Sequence, residues 1–195
     1  MKPSLFAAAA IALAGCAAPK TVEPLSLPLA YKMMATPTEF PAVTECHSLA
    51  GIKVKDQRRE PRIGVRVLEE HPDQTADVNA ASDVVEWVRA GFEAGLSQSG
   101  LAVGGGSATL NLVIDDLRTN ENVLHRSGYD SRISLLAEVT RNGKTCWKGD
   151  LQGKASNYGY SGSVENYQEM LNHALDRAVI DLVDSSEFRR AACAC

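Results

Sequence analysis

The sequence predicts an α+β fold: a two-layer sandwich of a mostly antiparallel sheet with two amphipathic helices on one face. Three observations carry this. Short runs alternate apolar with polar residues, the period of half-buried strands. Two longer stretches repeat apolar residues every three or four positions, the period of a helix buried along one side. Between two of the alternating runs stands Asn142-Gly143, a strong hairpin signal.

Taken in order, Ile52 and Val54 alternate with Lys53 and Lys55, and Ile63, Val65 and Val67 with Arg62, Gly64 and Arg66. Glu60-Pro61 separates these two strands, because proline cannot continue a ladder. Residues 71–81 are polar and read as a loop. A helix is expected from Ser82 to Ser99, with Val85, Val88, Phe92 and Leu96 on one face. Ser82 or Asn79 would cap its start and Gly100 its end. Gly91 and Gly95 cost helix propensity, so their use is to let a neighbour approach closely. Gly104-Gly105-Gly106 precede a strand rather than a helix, which reads as a turn and not a phosphate loop. The strand holds Leu110, Leu112 and Ile114, and residues 118–130 read as a polar loop. In the hairpin, Ile133, Leu135, Ala137 and Val139 share one face, as do Thr145, Trp147, Gly149 and Leu151. A three-residue loop with a Gly143 bulge would pair Thr140 with Lys144, Val139 with Thr145 and Ala137 with Trp147. The second helix runs from Ser163 to Asp184, with Val164, Tyr167, Leu171, Leu175, Ala178 and Leu182 in a stripe.

The N-terminus has a different character. Lys2 precedes a short apolar run from Leu5 to Leu13, and Leu13-Ala14-Gly15-Cys16 closes it. The run falls well short of the ~20 residues of a spanning helix. It has the parts of a secretory leader, with small residues at the cleavage point between Gly15 and Cys16. This ending resembles the lipobox of bacterial lipoproteins, which implies acylation, palmitate included, on Cys16. Ala17 in place of aspartate favours the outer membrane over the inner. The expected organisation is a signal peptide (1–15), a lipidated N-terminus and tether (16–45), a periplasmic domain (46–188) and a tail (189–195). Pro19, Pro24, Pro28, Pro37 and Pro41 stiffen the tether, which could reach roughly 100 Å if fully extended.

Composition narrows the function. Hydrophobic residues form 45% of the 195, enough for a buried core. Lys+Arg 20 against Asp+Glu 24 gives −4, and −5 once Lys2 leaves with the leader. No basic stripe suggests nucleic acid. Four cysteines remain beyond Cys16. Export would expose them to an oxidising compartment, and they allow three pairings. Cys46 precedes the first strand and Cys146 points to the open sheet face, so a Cys46–Cys146 bridge is expected, provided their Cα atoms come within ~7 Å. Cys46-His47 fits no standard zinc spacing, so no metal or other cofactor is expected. His47, His71, His125 and His173 accompany no nucleophile motif and read as surface residues. Asp115 and Asp116 point to opposite faces of a strand and cannot easily share a cation. Asp56 and Arg58 read as a structural ion pair. No catalytic residue emerges.

The chain also resembles the YajG-like family of bacterial outer-membrane lipoproteins. The resemblance rests on the lipobox, on the strand Ile52 to Asp56 ending in Asp56-Gln57-Arg58, and on the helix from Ser82-Asp83 to Gly100-Leu101. The following strand, the Asn142-Gly143 hairpin and the long last helix keep the family's order. The extra cysteines and the stretch after Asp56 depart from it. The family brings no catalytic residues. The resemblance implies a non-enzymatic, membrane-anchored module that binds an envelope protein or lipid. Alternatives are an assembly factor for an outer-membrane or lipid-transport complex and, from another class, a periplasmic hydrolase with a pocket near His125, Asp115 or Asp116.

Overall fold

In the computed structural model, which describes residues 22–68, 71–122, 128–159 and 162–194, the chain forms a large mixed sheet and three helices. The strands are β1 (Leu25–Leu27), β2 (Ser48–Leu49), β3 (Gly51–Asp56), β4 (Arg62–Leu68), β5 (His71–Ala80), β6 (Ala102–Val103), β7 (Ala108–Asn122), β8 (Gly128–Arg141) and β9 (Lys144–Tyr158). The helices are α1 (Val84–Gln98), α2 (Val164–Asp184) and α3 (Ser186–Ala194).

The sheet runs β1-β5-β4-β7-β8-β9, with β3 also paired to β7. The β4–β5, β7–β8 and β8–β9 pairings are antiparallel, whereas β1–β5, β3–β7 and β4–β7 are parallel. The sheet is therefore mixed, with its longest ladders, β7–β8 and β8–β9, antiparallel as expected and three shorter parallel pairings added. The long strand β7 is its spine: β3 lies along its first half and β4 along its second. A bulge between Ile114 and Asp116 adds Asp115 to β7. It moves the inward positions from Leu110, Leu112 and Ile114 to Leu117, Thr119 and Glu121.

Residues 71–80, expected to be a loop, form β5. Gln74, Ala76 and Val78 are less exposed than Asp73, Thr75 and Asp77, so the alternation is present. Only Val78 carries it in apolar form, and the ladder to β4 supplies the backbone bonds. The 118–130 loop is likewise mostly strand, with residues 123–127 outside the described set. Its inward positions are polar: Thr119, Glu121 and Ser131 are buried. Ser131 Oγ donates to Thr119 Oγ1 at 2.8 Å, and Glu121 accepts from Tyr129, Tyr167 and the amides of Gly162 and Val67. Buried polar groups are tolerated when so paired, but they leave no apolar pattern to read.

The hairpin turn takes two residues, with φ +50° at Asn142 and +77° at Gly143. Arg141 pairs with Lys144 and Thr140 with Thr145, not Thr140 with Lys144. A bulge after Val139 then sets Val139 against Trp147, Ala137 against Gly149 and Leu135 against Leu151. The bulge at Cys146 keeps the expected apolar faces together, the task assigned above to a longer loop.

Asp83, not Ser82 or Asn79, caps α1, accepting from Val85 N at 2.8 Å. Its other end closes with Leu101 N donating to Leu96 O and Gly100 N to Ser97 O, with Gly100 at φ +87°. A Cβ at Gly95 would stand 2.7 Å from Val179 Cγ1, and one at Gly91 would run into Leu175. The two glycines thus admit α2 against α1. Ser163 caps α2. The backbone of α2 at Ala174 sits over Gly153 of β9, where a side chain would clash.

The ends of the chain are the largest departures. Residues 22–45, expected to be a tether, lie along the helices. Asp176, fully buried in α2, accepts from Tyr31 Oη and from the amides of Met34 and Ala35, each at 2.7 Å. Trp87 Nε1 donates to Asn172 Oδ1, and Asn172 Nδ2 donates to Ala30 O. Leu27, Leu29, Phe40 and Val43 are buried. Burial, with the bond to Asp176 next, pushes the Tyr31 phenol far above its ordinary range. The 189–195 tail is the end of α3 up to Ala194. Phe188 is buried edge-on to Trp147 with ring centroids 5.7 Å apart, and Ala191 and Ala192 face the core.

Candidate functional site

Gly15 and Cys16, the expected cleavage and lipidation residues, lie outside the described set, as do His125 and Cys195. Cys46 is bonded to Cys193, with Cα atoms 5.2 Å apart, and not to Cys146. Helix α3 decides this: Arg189 pairs with Glu45 at 3.4 Å, and Arg141 donates to the carbonyls of Ala192 and Cys193, so Cys193 is delivered to Cys46. Cys146 is engaged in a separate disulfide. His47 is exposed. His173 sits on α2 with Nε2 3.9 Å from Glu169. His71 belongs to β5. Among the described residues no three His, Cys, Asp or Glu gather as metal ligands.

Charged side chains instead converge where β3 ends, β4 begins and β7 bulges. A groove of about 590 Å³ lies there, lined by Gln57, Arg58, Arg59, Glu60, Arg62, Asp115, Asp116 and Arg118. Gln57 N donates to Ile114 O at 3.1 Å, which extends the β3–β7 ladder by one step and sets Gln57 opposite Asp115. Arg58 grips Asp56 side-on: Nε to Oδ1 at 2.9 Å and Nη2 to Oδ2 at 2.7 Å. Its own amide also donates to Oδ1. The Arg58 side-chain bonds, with its amide and charge, hold the Asp56 carboxyl below the usual carboxylate range.

The other pairs are equally specific. Asp116 receives Arg118 at 2.8 Å and Arg132 at 2.7 Å. Arg62 meets Glu60 at 3.3 Å and Asp77 at 3.2 Å. Of the charged residues that line this groove, Arg59 and Asp115 have no side-chain hydrogen bond or ion pair. Arg58 is 8% exposed, and its Nη1 has no hydrogen-bond partner. A second groove of about 530 Å³ continues across the sheet over Arg118, Asn120, Asp130, Arg132, Lys154 and Ser156.

These contents suit recognition. Guanidinium forks and carboxylates bind charged partners in defined geometry, and both line the first groove. The expected Asp56–Arg58 pair is present, whereas Asp115 and Asp116, expected on opposite faces of a strand, both line this groove because the bulge at Asp115 breaks the alternation. The convergence of Arg59, Arg62 and Arg118 on that pair was missed. The density of arginine after Asp56 was its only trace in sequence, and the β7 bulge that completes it had none.

Residues 44–191 match a family described as uncharacterised lipoprotein. A Xanthomonas campestris protein of the DUF330 family has a similar fold, with TM-score 0.52 at 13% identity over 87% of this chain and 96% of that one. A minor lipoprotein from Acinetobacter baumannii gives TM-score 0.42 at 8% identity, over 71% and 94% of the two chains. A hypothetical protein from Chlamydia trachomatis gives 0.40 at 12% identity, over 74% and 99%. No curated protein sequence matches the chain.

Proposed function

The chain belongs to a family of uncharacterised bacterial lipoproteins, the YajG family, and from that premise we propose that Cys16 carries the lipid and anchors a non-enzymatic binding module to the periplasmic face of the outer membrane. The observation that carries the reading is the family match to the folded domain, joined to the leader that ends in Leu13-Ala14-Gly15-Cys16. Among the described residues no helix is long and apolar enough to cross a membrane.

The docked N-terminal segment changes what such an anchor does. Only six peptide steps separate Cys16 from Val22, so at most roughly 20 Å of chain lies between lipid and domain. The domain rides close to the bilayer instead of ranging from it.

We read the layers as helices over one sheet face and contact through the other. In support, Gly153 and Trp147 of β9 meet α2 and α3, while Lys148, Gln152 and Lys154 between and beside them are exposed. Leu136 on β8 is 49% exposed. The charged grooves open among Arg118, Arg132 and Lys154, whose cations suit an anionic or polar partner. A photo-crosslinking side chain at Leu136 or Lys154, placed in intact cells, tests this. It should capture an envelope protein or lipid that the same probe at Glu86 on α1 does not. Equal capture at both places, or none at Leu136 and Lys154, would refute the assignment of the face.

A further inference from the structure

The two charges that the groove at the β3–β4 turn leaves uncommitted, Arg59 and Asp115, are of opposite sign and line the same groove. Arg58, Arg59 and Asp115 line this one groove together. Glu60, Arg62, Asp116 and Arg118 are each committed to a protein partner. Arg58 Nη1 is a buried donor with no partner, and leaving such a group unsatisfied costs free energy that a bound acceptor would recover. A simple anion is poorly matched, because Asp115 would repel it.

We propose that this groove binds a small zwitterion of the phosphoethanolamine class, its oxyanion against Arg58 and Arg59 and its ammonium against Asp115. Guanidinium groups favour phosphate oxygens through paired, charge-assisted hydrogen bonds. A primary ammonium brings three donors to the carboxylate. The chemistry is shared by a soluble phosphoethanolamine ester and by a phospholipid headgroup. The close tether favours the headgroup: Arg66 Nη1 donates to Glu23 O, so the strand that supplies Arg62 is tied to the chain just after the anchor. The site itself does not depend on the lipid at Cys16 or on the sheet-face reading; only this choice of source does.

The test titrates the purified full-length protein with phosphoethanolamine and follows backbone amides by NMR. Saturable shifts should concentrate at residues 57–60 and 114–118. Arg59→Gln and Asp115→Asn alter exposed side chains, so the remaining spectrum should hold, while each weakens binding about tenfold, the loss of one charge-assisted hydrogen bond. Inorganic phosphate alone and ethanolamine alone should each bind at least about tenfold more weakly. Absence of saturable shifts in the groove overturns the proposal. So does phosphate binding as tightly as the zwitterion, or an Asp115→Asn variant that binds like wild type. Vesicles of phosphatidylethanolamine, set against phosphatidylcholine whose methylated cation cannot donate to Asp115, separate the sources. Shifts of the same amides by the former alone assign a membrane headgroup, and shifts by the soluble ester alone assign a soluble ligand.

Discussion

Asp176 occupies the middle of the α2 apolar stripe, between Leu175 and Val179, where a carboxylate has no business unless something meets it. Tyr31 and the amides of Met34 and Ala35 do so, and the N-terminal segment is thereby held to the helices. Replacing Asp176 with alanine orphans three donors, each costing ~1–3 kcal/mol. A loss of at least ~3 kcal/mol in urea unfolding is expected, together with faster proteolysis of residues 28–40. Tyr31→Phe, which leaves Asp176 Oδ1 without that donor, should cost ~1.5–3 kcal/mol. The Asp56 carboxyl presents the opposite case, half-exposed and gripped by Arg58. Its pKa is depressed in the folded chain, so its stabilisation is fully present above the unfolded value of about 3.9 and fades as pH falls through the lower folded value. The stability gap between wild type and Asp56→Asn, from urea midpoints, should therefore be widest near neutral pH and close on acidification below about pH 4. A gap independent of pH would mean the carboxylate charge contributes nothing.

At the level of elements, those with an apolar period were legible and those with a polar interior were not. β3, β4, α1 and α2 announce themselves through Ile52, Val54, Val88, Phe92, Leu171 and Leu175. β5 does not, because among its described side chains Val78 is the one fully buried apolar residue, and Gln74 and Ala76 stand at other inward positions. The far half of β7 carries a loop-like sequence because Thr119 and Glu121 face inward. α3 was read as a tail because only Phe188, Ala191 and Ala192 mark its buried side, over a span too short to repeat. The hairpin's faces were readable but its register was not, since a bulge at Cys146 reaches by another route what a longer turn would have done. The use of Gly91 and Gly95 was legible from their cost alone. Gly95→Ala should gain helix propensity of about 1 kcal/mol and still destabilise the protein by ~1–3 kcal/mol, because the new methyl meets Val179. Restored stability in Gly95→Ala paired with Val179→Ala would locate the cost at the α1–α2 contact. A stabilised single variant would deny that contact.

For the whole molecule, what matters is how the folded body stands to the membrane. Segment 22–45 and α3 close over the domain from both ends of the chain, and the Cys46–Cys193 bond joins the two closures across 147 residues of sequence. The charged groove was only half legible. Asp56 and Arg58 are adjacent in sequence, but Asp115, Asp116 and Arg132 reach them through strand pairings that no local pattern encodes. On the proposed function, this body is a lipid-anchored module held within roughly 20 Å of its bilayer by Cys16. Fractionation of cells expressing wild type and Cys16→Ser tests that most directly. Wild type should sediment with membranes and carry an acyl mass at its N-terminal cysteine, while Cys16→Ser should appear in the soluble fraction with an unchanged circular dichroism spectrum. A Cys16→Ser protein that still sediments with membranes would contradict the account.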